Sequence, residues 1–468
     1  MTPSEAYLAQ LGQQAFLSLW SYPNVFTDEG KTAANGVGQE LSDLLVVFGD
    51  DVIVFSDKHI AFKRDGDLSI NWKRWYRRAI EKSARQLIGA KRWIERYPGR
   101  LFRDAKCTQP LPAPLPPRER MRIHLVAVTR GSFDACKAYF NESSEGSLRL
   151  NTGISGPEEP FTVGLVAPSE FIHVFDEVTL DRVFAELDTA RDFLDYLRRR
   201  EGFLTSETRV IVSAGEEQLL SLYLRSLDAD GEHDFILPTA GSPPDLVMLD
   251  ESFWPALIED PGYQRKKEAD RASYIWDELI EQFIEHGSTN AVEGLPALFG
   301  TDIEPAVRCM ADEPRLRRRL LGECLHEFLR SVPKDKRRSR LVHSNSHPNR
   351  AYVFLAEPFL GDYASYADYR RFRTAHLGAR CLVARLYAPQ AVEIVGLAFD
   401  SPNSRQKGGS EDLFYTWEPQ FTPEMRAAAE EAQAQFKIFQ TSRMKVRQAH
   451  YDEFPPASTS EKPSENNR

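Results

Sequence analysis

Apolar and polar positions alternate with two different periods along the chain, and the changes of period mark its elements. Residues 4–20 carry Ala6, Tyr7, Leu11, Phe16, Leu17 and Trp20 at helical spacing, which predicts a first helix. After a stretch of small residues, Thr32 to Gly38, comes DLLVVFGDDVIVFSDK, residues 43–58. Here two β-rich runs, Leu44–Phe48 and Val52–Phe55, flank Gly49-Asp50, the pattern of a hairpin. Residues 71–97 then repeat at spacings of three and four through Trp72, Tyr76, Ala79, Ser83, Leu87, Ala90 and Ile94, and Pro98-Gly99 ends that helix.

Beyond residue 117 the pattern keeps alternating. Ile123–Val128, Phe161–Val166, Phe171–Phe175 and Val210–Ser213 read as strands. Leu180–Leu204 reads as one helix capped by Thr179, and a further helix starts near Glu216. Residues 252–332 are mostly helical in pattern. LVHSN, AYVFLAEP and VEIVGLAF then predict strands around a helix at 366–387. The expected fold class is therefore α/β, a mixed α+β multidomain chain. Punctuation suggests its divisions: the Pro-rich 109–117, the turn-rich 229–233 or 241–245, and the charged 334–340. This gives a first domain at 1–113 whose last core strand lies at 122–129, an α/β part at 118–245, a helical region at 246–333, an α/β region at 338–452 and a polar, disordered tail at 453–468.

Composition narrows the chemistry. Hydrophobic residues are 42% of the 468, enough for real cores, and no apolar run is long enough to span a membrane. Five scattered cysteines without a CxxC argue against a disulfide scaffold or zinc ribbon and suit a reducing, cytoplasmic setting. The formal net charge of −10 gives no global attraction to nucleic acid. Against that background, residues 73–100 hold ten basic residues opposed by Glu81 and Glu95 alone. Arg74, Arg78, Arg85 and Arg92 fall away from the buried stripe, as phosphate contacts or as a solvated face. Arg315, Arg317, Arg318 and Arg319 read as a solvent face, with a second phosphate-facing cluster as the alternative. There is no Walker A, GxGxxG or GxSxG motif.

The hairpin carries the sharpest candidate. A two-residue turn at Gly49-Asp50 sets Asp43 opposite Ser56, on the face that holds Lys58, with Asp57 turned away. A register one residue longer sets Asp43 opposite Asp57 instead. The order helix, strand from Asp43, strand ending in FSDK, and long helix bearing Gln86 resembles the PD-(D/E)XK nuclease superfamily, the restriction-endonuclease-like fold. The resemblance covers roughly residues 1–130 and implies an α-β-β-α-β core. It implies that Asp43 binds Mg²⁺, that Lys58 supports the attacking water, and that Gln86 matches the glutamine of the following helix. Glu40, or as second choice Glu5, matches the accessory glutamate. It departs at Ser56, where the family has a second carboxylate; Glu40 is the residue able to compensate. The implied function is Mg²⁺-dependent hydrolysis of nucleic-acid phosphodiesters, in DNA repair or defence. The alternative is a non-catalytic nucleic-acid-binding or scaffold protein on a degenerate nuclease-like core.

Overall fold

The structure, a computed structural model, describes residues 2–32, 35–141, 146–237, 245–289 (backbone alone for 286–289), 303–344, 346–360, 363–402, 410–440, 445–447 and 451–456. It is a mixed α/β chain that divides into two compact units, Met1–Tyr263 and Gln264–Arg468. Both the Pro-rich segment 109–117 and the turn 229–233 fall inside the first unit. The Pro-rich segment is no linker, because Leu111, Ala113 and Leu115 pack against the core and the Leu111 amide donates to the Leu101 carbonyl. Residues 241–244 of the other proposed boundary lie outside the described residues.

The first unit opens with α1 (Pro3–Trp20), capped by a reciprocal Thr2–Glu5 box, and passes directly into β1 (Ser21–Thr27). The hairpin follows as β2 (Gln39–Phe48) and β3 (Asp51–His59). Leu44 pairs with Phe55 and Phe48 with Asp51, so the shorter register holds. Gly49 supplies the turn with φ +60°, a conformation that favours glycine. The long helix is α2 (Leu68–Tyr76), a π-helical turn at Arg77–Glu81, and α3 (Lys82–Arg96). The sequence pattern does not reveal the π turn, since every stripe residue from Trp72 to Ile94 is buried regardless.

β4 (Leu101–Phe102) and β5 (Arg122–Arg130) are followed by α4 (Phe133–Tyr139), β6 (Arg149–Ser155), β7 (Thr162–Leu165) and β8 (Ile172–Asp176). The main sheet has the order β4-β1-β2-β3-β5-β8. Its β1–β2–β3 part is antiparallel, whereas β3, β5 and β8 run parallel. The sequence pattern does not predict β1, because SYPNVFT has a proline and no clean alternation, yet it pairs with β2 from Ser21 to Thr27.

One sheet face packs on α3 through Leu45, Val47, Val52, Val54, Leu87 and Ile94. The other face meets α5 (Glu177–Glu186) and α6 (Ala190–Leu204) as well as α1: Phe55 lies against Phe184 and Phe193, which both also meet Phe16. A core side chain of this size contributes about 1.5–3 kcal/mol on burial. The single helix expected over 180–204 is thus two. Asp176 caps the first, and Thr189, accepting from the Asp192 amide, restarts the second. β9 (Val210–Ser213), α7 (Glu216–Arg225), β10 (Leu246–Leu249) and α8 (Phe253–Ile258) complete the unit, with a second sheet ordered β10-β9-β6-β7.

α9 (Pro261–Asp270) spans the division. The second unit then holds α10 (Tyr274–Thr289), α11 (Glu304–Ala311) and α12 (Arg315–Arg330). After them come β11 (Arg338–His343), β12 (Arg350–Glu357), α13 (Tyr366–Ala384), β13 (Glu393–Asp400), β14 (Glu411–Trp417) and α14 (Pro423–Phe436). Its sheet is β11-β12-β13-β14, with β12 and β13 parallel. Two expectations are corrected. Arg315, Arg318 and Arg319 are buried, not a solvent face: Arg315 and Arg318 hold Asp277 at 2.7 Å, and Arg319 holds Asp270 at 3.2 Å. The tail does not begin at 453, because Glu453 is buried 3.0 Å from Lys266 and the Pro455 carbonyl accepts from Arg265. Residues 457–468 lie outside the described residues.

Candidate functional site

The sheet brings the hairpin residues to one strand end. Asp43 is buried and its Oδ2 accepts the Asp57 amide at 2.6 Å. Lys58 Nζ stands 3.8 Å from the same oxygen. Burial pushes the Asp43 carboxyl up, against the pull of Lys58 and of the Asp57 amide, and the charge of Glu5 pushes it further. Glu40 is raised too, by burial first and then by Asp43 and Glu5. Glu5 reaches this group because the Thr2 capping box fixes it in the first turn of α1, where it accepts the Thr2 amide at 2.7 Å. The result is three carboxylates, Glu5, Glu40 and Asp43, that feel one another's charge beside Lys58.

Ser56 is fully buried. Its hydroxyl donates to Gln86 Oε1 at 3.4 Å and lies 3.3 Å from the Ser83 hydroxyl, which can donate to it, so α3 does deliver Gln86 to the hairpin. A longer acid at this position would have to displace both partners. Asp57, on the opposite face, is held by Arg130 at 3.2 Å; burial raises its carboxyl and Arg130 opposes that. Arg130 in turn lies over the Tyr7 ring. Sequence reasoning singles out neither Ser83 nor Arg130. Ser83 is visible there only as a small polar residue on a buried stripe. Arg130 carries no signal, since its partner depends on β5 lying beside β3.

Arg74, Arg78, Arg85 and Arg92 are all away from the core stripe and exposed. Arg85 has Glu81 at 3.8 Å, while Arg74, Arg78 and Arg92 have no carboxylate partner among the described residues. Elsewhere, His347 pairs with Asp312 at 3.1 Å and His343 is exposed on β11. Among the described residues, Glu40 and Asp43 belong to no set of three close donors. Among the described residues the His, Asp and Glu side chains whose ligand atoms all lie within 4.8 Å of one another are His124, His173 and Glu201.

Among the described residues, no helix is long and apolar enough to cross a membrane. No family model, curated protein or solved structure matches this chain.

Proposed function

We propose that the first unit is a divalent-cation-dependent nuclease that hydrolyses nucleic-acid phosphodiesters in a reducing cytoplasm, with the hairpin end as its active site. The supporting observation is the gathering of Glu5, Glu40 and Asp43 around Lys58, on a hairpin whose neighbouring helix carries Gln86 and an outward row of arginines. Lys58 by itself does not neutralise three carboxylates: burial first and then Glu5 raise the Asp43 carboxyl, and the surface-exposed Glu40 is raised by partial desolvation and then by Asp43 and Glu5. The donors are hard oxygens, which fit Mg²⁺ in kind, with Glu40 and Asp43 as its ligands. A bound Mg²⁺ would supply charge for the phosphate and a more acidic water. Lys58 offers N–H donors to that water or to a phosphate oxygen, and Asp43 holds the ammonium in place. Arg74, Arg78 and Arg92 would grip flanking phosphates without reading sequence.

The test is cleavage of labelled single- and double-stranded DNA and RNA by the pure protein, with Mg²⁺ or with chelator. Asp43→Asn keeps an oxygen for the Asp57 amide and should lower the rate about 10²-fold or more. Glu40→Gln should do likewise if it stands in for the missing second acid. Mg²⁺-dependent cleavage undiminished by Asp43→Asn overturns this site.

A second reading is favoured by one observation. The enclosure of Ser56 by Ser83 and Gln86 suits a core that binds nucleic acid without cutting it. Binding without cleavage in the parent, with cleavage gained in Ser56→Asp, would select that reading.

A further inference from the structure

On the other face of the main sheet, and at the other end of β3, lies a cluster that the hairpin chemistry does not use. β5 and β8 are parallel neighbours, with Val126 opposite His173. His124 is two residues before Val126, so the two rings share a face. His124 is 5% and His173 1% exposed. The Nδ1 of His124 and the Nε2 of His173 are buried and find no hydrogen-bond partner among the described residues. Glu201, half-buried on α6, lies beside both rings, and one ligand atom from each of the three residues falls within 4.8 Å of the others.

We propose that His124, His173 and Glu201 form a binding site for a zinc-class dication, with Asp51 as the residue that orients His124. The Asp51 Oδ1 lies 2.9 Å from His124 Nε2. The same carboxylate also accepts from Arg122 at 2.8 Å and from Arg198 at 2.7 Å, so Asp51 faces His124 as an acceptor. It therefore places the His124 proton on Nε2 and leaves the buried Nδ1 as a lone pair. A carboxylate behind a histidine in this way is the usual outer partner of a metal-bound imidazole.

Arg200 is the group that resists. Its Nη1 lies 3.3 Å from His173 Nδ1, which as an acceptor leaves the proton on Nε2. For Nε2 to bind an ion, that proton moves to Nδ1 and the Arg200 hydrogen bond is given up; the imidazole stays neutral throughout. The guanidinium keeps its shorter bonds to Glu216, at 2.5 and 2.7 Å, which also neutralise its charge. Two imidazoles and a carboxylate select zinc over magnesium. Tetrahedral ligands at about 2.0–2.1 Å from an ion sit about 3.3 Å apart, so donors within 4.8 Å of one another close on an ion by modest side-chain movement. Glu201 and Arg200 also line a cavity of about 540 Å³ beside β6, β7 and α6.

The experiment uses the full chain, stripped with chelator, dialysed, and loaded with ZnCl₂ or CoCl₂. One Zn²⁺ per chain should survive dialysis, and Co²⁺ should give the intense visible bands of a four-coordinate ion without sulfur–cobalt charge transfer. Glu201→Gln and His124→Gln should each weaken binding about 100-fold or more, while Asp43→Asn should leave it unchanged. If His124→Gln does not fold, Glu201→Gln alone decides. Absence of a retained ion, a sulfur–cobalt band, loss of the ion in Asp43→Asn, or equal affinity in a folded Glu201→Gln overturns the proposal.

Discussion

Replacing Lys58 by methionine keeps most of the apolar stem and removes the ammonium beside Asp43. Two unit charges at the 3.8 Å between Lys58 Nζ and Asp43 Oδ2 attract by about 4 kcal/mol at an effective dielectric constant of about 20. Lys58 is 23% exposed, so water screens part of this and also rehydrates what remains. The net loss should be about 1–3 kcal/mol, between the values for exposed and fully buried pairs. Its pH dependence carries the reasoning. The folded Asp43 carboxyl is already raised above its unfolded value by burial, so the folded state holds this proton more tightly and loses stability as pH rises through the folded pKa. Without Lys58 that pKa climbs further. The variant should therefore resemble the parent at a pH acidic enough to protonate Asp43 in both, and fall progressively behind as pH rises above the ordinary carboxylate range. Urea unfolding of the parent, Lys58→Met, Asp43→Asn and the double variant measures this. The double variant should recover most of the loss, because no buried charge remains to be paired. A loss independent of pH, or single effects that simply add, would refute the account of Lys58 as the partner of a buried acid.

Further outcomes are expected. Charge reversal at Arg74, Arg78 and Arg92 should weaken binding to unrelated nucleic acids alike and reduce the salt slope by about 0.9 for each phosphate no longer neutralised on duplex DNA; unchanged affinity in a folded variant would mark a merely solvated face. In the second unit, Glu453→Gln leaves buried Lys266 with Asp270 at 2.7 Å as its carboxylate, and should lower stability by about 1–3 kcal/mol in thermal or urea unfolding; no change would mean that the C-terminal segment does not brace these helices. Leu87→Ala, in the core between α3 and the sheet, should cost about 2–5 kcal/mol in the same unfolding assays.

What local pattern can encode, the sequence carried by itself. Period two with Gly49-Asp50 determined the hairpin and left two registers open; the pairing of Leu44 with Phe55 decided for the shorter one, which keeps Leu45, Val47, Val52 and Val54 on the core face. The stripe from Trp72 to Ile94 likewise determined which side of the long helix is buried, and hence that Gln86 lies near the hairpin while the arginines face outward. Three features were settled only by tertiary structure. The proline-bearing β1 became a strand because β2 offered an unpaired edge, a partner that propensity does not see. The arginines of α12 turned inward because Asp270 and Asp277, on earlier helices, await them, and a buried charge follows its partner rather than its hydropathy. His124 and His173, far apart in sequence on two apolar strands, gave no motif. Only the parallel pairing of β5 with β8 sets their rings on one face, and only α6 brings Glu201 to them. Short-range periodicity reports the face a residue occupies; which distant side chain shares that face depends on how the strands are ordered in the sheet.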